Sequence, residues 1–88
     1  MTELADFDFS SHVELQQYLR RLEDNLRQVQ RRLQRFEAEF GMDSEEFYAK
    51  LQNAELEENE AYAEWAGEHE MLLRLQQQCA ELRRRLQQ

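Results

Sequence analysis

Leu15, Leu19, Leu22, Leu26, Val29, Leu33, Phe36 and Phe40 follow one another at alternating steps of four and three residues. That rhythm, held over about three and a half heptads, is the seam of a coiled-coil-like helix. It fixes the fold class before anything else is considered. A helix from Ser11 to Phe40 would be roughly 45 Å long at 1.5 Å per residue, so it must lie along another long helix. Composition agrees. Glu, Gln, Arg, Leu and Ala dominate, proline is absent, and the 88-residue chain has two glycines. With two valines, no isoleucine and one threonine, a sheet is effectively excluded.

Local signals punctuate the helices. Ser11-His12-Val13-Glu14 reads as a capping box that starts the first helix after an acidic tail, residues 1–10. Gly41 supplies the left-handed residue that stops it. Asp43, with Glu46 three places on, restarts a short helix over about 44–54, with Phe47, Tyr48 and Leu51 on its apolar face. Glu57, Glu58 and Glu60 suit the positive pole of a third helix over about 58–86. Its seam is Trp65, Leu72, Leu75, Cys79, Leu82 and Leu86, widened by Tyr62, His69 and Leu73. The predicted architecture is all-α, a long coiled-coil-like helical hairpin with a short middle helix at the bend, forming one domain over 11–88.

Charge is blocked along the chain. Residues 1–14 carry a net of −4, 15–36 a net of +4, 37–70 a net of −11 and 71–88 a net of +3, within a total of −8. Antiparallel docking of the long helices sets Arg27, Arg31, Arg32 and Arg35 beside Glu57, Glu58, Glu60, Glu64 and Glu68, and Arg83–Arg85 near Asp6 and Asp8. Such pairs select orientation rather than create stability. A chain this small has a poor surface-to-volume ratio. Burial by a second copy along Leu15, Leu19, Leu22, Leu26, Val29, Leu33, Leu75 and Leu82 is therefore expected, giving a homo-oligomer.

Several functions fit poorly. The apolar runs are too short to span a membrane, and Met1-Thr2-Glu3-Leu4 lacks the start of a signal peptide. One cysteine, Cys79, suits a reducing cytoplasm. The acidity argues against nucleic acid, and neither a helix-turn-helix nor a ribbon strand is present in the pattern. No phosphate loop, His-Glu-x-x-His or paired cysteines occur, so no enzyme, cofactor or metal site is expected. His12 and His69 stand far apart, and the positions three and four after His69 are Leu72 and Leu73. Cys79 on a seam reads as a small buried hydrophobe.

Six of the nine aromatics lie between residues 36 and 65. Most of them, with Met42, read as a mini-core where three helices meet. Tyr48 and Tyr62 are candidates to stay exposed as interface anchors in acidic surroundings. The run from Phe36 through Gly41-Met42-Asp43-Ser44-Glu45-Glu46-Phe47-Tyr48, with Ala54-Glu55-Leu56, Glu64-Trp65-Ala66 and Glu70-Met71, resembles a group of short prokaryotic helical proteins. These show a Gly-Met-x-Ser-x-Glu-Phe core and a Trp-Ala helix. The resemblance spans about residues 33–75. Ala54 and Glu57 stand where that pattern tends to have glycine.

Members of that group are associated with toxin–antitoxin-like gene pairs, as the presumed antitoxin. The resemblance thus implies a non-catalytic protein that neutralises a cognate basic toxin. The residues expected to carry this are Glu45, Glu46, Tyr48, Glu55, Glu57, Glu58 and Tyr62, steering a basic cleft by charge and holding it by apolar burial. The alternative is a self-assembling coiled-coil structural or adaptor protein. The plainer reading of the same acids is that they solvate the bend and cap helices.

Overall fold

The computed structural model describes the backbone of residues 3–87 and the side chains of residues 12–87. Three helices account for nearly all of it: α1 (Glu3–Phe40), α2 (Ser44–Gln52) and α3 (Glu60–Leu86), with no strand among the described residues. The all-α expectation is met.

Helix α1 begins at Glu3, eight residues before the expected Ser11. The Ser11–Glu14 box therefore lies inside a helix. Nothing between Glu3 and Ser11 is proline or glycine, so no residue there forces the helix to stop. The other end falls as expected. Gly41 takes φ +71° and its N–H still reaches the Glu37 carbonyl, 2.9 Å away. A left-handed residue costs glycine nothing, because it has no Cβ.

Asp43 caps α2, its carboxylate accepting from the Glu46 N–H at 2.8 Å. The helix stops at Gln52, two residues short of the expected end, in a Schellman turn. The Glu55 N–H donates to the Lys50 carbonyl at 2.9 Å and the Ala54 N–H to that of Leu51 at 3.1 Å. Ala54 holds the left-handed position at φ +56°, the conformation that glycine adopts freely. Helix α3 starts at Glu60, not at 58, because Asn59 is the cap and accepts from the Ala61 N–H at 2.9 Å. Glu57 and Glu58 consequently sit in the preceding loop rather than in the first turn.

Contacts between α1 and α3 number upward on one helix as they number downward on the other. Glu23 pairs with Arg83, Arg32 with Glu68, and Phe40 packs on Trp65 and Tyr62. The molecule measures 57 × 22 × 20 Å, and its long axis matches the roughly 57 Å of a 38-residue helix. Its radius of gyration of 17.7 Å compares with about 12 Å for a compact chain of this length. The shape is a rod.

Along the rod, Leu22, Val29, Leu33, Leu75, Cys79 and Leu82 are buried, with Leu15, Leu19 and Leu26 half-buried against them. The residues expected to form an oligomer seam pack against one another within one chain, Leu15, Leu19 and Leu26 only in part. A seam of leucines seven residues apart is equally satisfied by either source, and the short connection through α2 brings α3 back at high local concentration.

Candidate functional site

The bend is built around Trp65, which is fully buried. Phe47 stacks on it with ring centroids 3.8 Å apart and planes 2° from parallel. Phe36 and Phe40 stack at 5.6 and 5.4 Å, and Tyr62 meets Phe40 edge-on at 5.4 Å. Each helix contributes at least one ring, so the mini-core expected from the sequence is present.

A polar chain runs through this apolar knot. The Trp65 indole Nε1–H donates to Ser44 Oγ at 2.9 Å. The Ser44 hydroxyl and backbone N–H both donate to Glu37 Oε2, each at 2.8 Å. Three residues, one from each helix, thereby satisfy one another. A buried indole needs an acceptor, and Ser44, at 4% exposed, supplies it from the first turn of α2. Sequence reading credited the α2 start to Asp43 and overlooked Ser44. The signal available was a lone tryptophan in a chain whose small hydroxylic residues are few.

The residues expected to bind a partner do not gather in one place. Glu57, Glu58 and Tyr62 border a hollow of about 570 Å³ whose apolar lining is Leu51, Leu56 and Ala63, with Glu60 on its rim. Glu45 instead lines a separate groove between α1 and α3. Glu46 pairs with Lys50 at 3.2 Å along α2. Glu55 is exposed and its backbone closes the Schellman turn. Tyr62 is half-buried among the aromatics, and Tyr48 is half-buried too, so neither is the free anchor that was expected.

Tyr48 has its own role in the fold. Its hydroxyl donates to the Glu70 carboxylate at 2.7 Å and its ring lies 4.9 Å from that of His69. The hydrogen bond to Glu70 is the main reason the phenol pKa is raised, with desolvation adding to it. His69 is buried, at 5% exposed, and its Nδ1 has no hydrogen-bond partner. A buried unpaired polar atom costs about 1–3 kcal/mol.

The arginine–acid pairing is partly realised. Arg32 bonds Glu68 across the helices, with Glu64 adding to the attraction, and that hydrogen bond raises the guanidinium pKa further. Arg27 pairs with Asp24 on its own helix, and Arg83 meets Glu23 at 2.8 Å. The pairs expected with Glu57 and Glu58 are not formed among the described residues, since both acids stand outside α3. Asp6 and Asp8, expected near Arg83–Arg85, lie outside the described side chains.

Burial pushes the Cys79 thiol pKa up, which keeps it protonated and a poor nucleophile. Among the described residues no group of three or more His, Cys, Asp or Glu could hold a metal ion. No described helix is long and apolar enough to cross a membrane. No protein family, curated protein or solved structure matches the chain. The antitoxin-like resemblance rests on its residues alone.

Proposed function

We propose that the chain is a helical hairpin, closed within one molecule, that acts in the cytoplasm as a non-catalytic, antitoxin-like binding protein for a basic toxin. The observation that supports this most is the hollow beside the second turn. Leu51, Leu56 and Ala63 offer apolar area, Tyr62 stands at its edge, and Glu57, Glu58 and Glu60 surround it. Glu57 and Glu58 lie in a loop and hold no ion pair among the described residues, so their charge is free for an incoming cation. Charge of one sign around an apolar patch steers encounter and discriminates between partners, while burial of the patch supplies affinity.

The test is co-purification with the product of the neighbouring gene. Glu57→Lys combined with Glu58→Lys is expected to abolish capture of a basic partner with helicity unchanged. Retention of the partner by that double variant sinks this reading. Self-assembly remains the second reading, supported by the exposed Val13, Tyr18, Met71 and Leu73. Light scattering separates the two, because self-assembly alone requires an oligomer without any other protein.

A further inference from the structure

A second surface lies apart from the hollow and shares none of its lining residues. It is a groove of about 630 Å³ running between α1 and α3 and ending at the start of α2. Leu33, Leu72 and Leu73 supply its apolar lining, and Leu73 is 47% exposed, the most of any large hydrophobic described. Glu37, Asp43 and Glu45 contribute three carboxylates at its bend end, and no Lys or Arg lines it. Glutamines Gln30, Gln34 and Gln76 complete it. His69 gives an independent sign. It lines the same groove, is more than nine-tenths buried, and its Nδ1 lacks a partner. Buried polar atoms are nearly always hydrogen-bonded, so an unpartnered one in the lining of a groove marks a place where a side-chain rearrangement on binding supplies the missing contact.

We propose that this groove seats a cationic amphipathic helix of a partner protein. Its leucine-like side chains lie over Leu72 and Leu73, and its Lys or Arg residues face Glu37, Asp43 and Glu45. Two long helices leave a trough along their joint, and a third helix packed there buries an i, i+3, i+4 stripe. Charge complementarity selects a basic helix over the acidic or neutral ones that the same apolar lining would accept. The inference rests on the reading that the partner is basic, and extends it by assigning a helix-shaped seat distinct from the Glu57–Glu58 hollow.

Isothermal titration calorimetry with a synthetic Leu/Lys amphipathic peptide of about 15–20 residues tests it. The full chain is expected to bind this peptide at least about tenfold more tightly than the same peptide carrying Glu for Lys. Leu73→Glu and Glu45→Lys change exposed positions, so circular dichroism is expected to show both folded. Each should weaken the Leu/Lys peptide about tenfold. Glu57→Lys with Glu58→Lys should change it less than about twofold. The His69 ring-nitrogen resonances should shift on binding. Equal binding of both peptides, no binding, or loss governed by Glu57 and Glu58 overturns the groove. If the neighbouring gene product is lost with Glu57 and Glu58 but indifferent to Leu73 and Glu45, the groove fails and the earlier reading stands. If no basic protein is captured while the peptide still depends on Leu73 and Glu45, the groove stands and the earlier reading fails.

Discussion

The two ends of this rod are held by different physics. Between Leu22 and Leu33 the joint is leucine against leucine, with ion pairs at the edges such as Arg83–Glu23, whose partners are half in water. Around Trp65 the joint is a stack of rings threaded by a hydrogen-bonded chain through Ser44 to Glu37. Leucine packing tolerates sliding by a heptad, because each heptad looks like the next. The Trp65–Ser44–Glu37 chain has one solution. The bend therefore sets the register, and the rod extends it.

Substitutions that separate the two ends test this contrast. Trp65→Ala carries the largest expected effect, about 3–5 kcal/mol, and removes the partner of Ser44 as well. Urea unfolding followed by circular dichroism should show it. Leu75→Ala in the rod should cost about 2–5 kcal/mol through its cavity alone. A rod variant that matched Trp65→Ala and also scrambled the pairing of the helices would break the contrast. Ser44→Ala leaves the indole N–H unpaired at almost constant volume, for an expected loss of about 1–3 kcal/mol. A neutral Ser44→Ala would mean that the rings alone set the joint.

The turns supply a pair of opposite sign. Gly41→Ala should destabilise by about 1 kcal/mol, from backbone strain and not from contact, since a Cβ there meets nothing within 4 Å. Ala54→Gly should stabilise by about 0.5–1 kcal/mol, because Ala54 already holds the left-handed conformation. Both are read from the urea midpoint. The smallest effect concerns Tyr48. Its folded pKa is raised, so the protonated phenol is the form the fold favours. Its contribution is complete below the ordinary tyrosine value of about 10 and is lost as pH rises through the folded pKa. Tyr48→Phe should flatten the alkaline limb of a melting-temperature profile while leaving neutral pH little changed.

What could be read in advance follows the range of each interaction. The Leu15–Phe40 seam and the Gly41 stop are local patterns, and the structure honours both. The Asp43 cap is local too. Ser11 misled because a capping box marks where a helix could start, and residues 3–10 contain nothing to prevent an earlier start. Asn59 was eclipsed by the acids before it. Ala54 carries no hint of its left-handed backbone, which the Schellman hydrogen bonds impose. The Trp65–Ser44–Glu37 chain joins residues 21 and 7 positions apart, and no periodicity announces it. The candidate binding acids divided because α2 is one short helix, directing Glu45 toward one groove while the loop after it carries Glu57 and Glu58 elsewhere.

Trp65 is the sole tryptophan of the chain, and it sits at the joint of all three helices. Its emission is thus a gauge of the bend alone, while ellipticity at the helical minimum is weighted toward the long arms. If the arms fray from their open ends before the joint parts, ellipticity falls while fluorescence holds steady. If the rod melts as one body, the two signals trace a single curve. The placement of one indole thereby provides an intrinsic reporter of cooperativity that needs no attached dye.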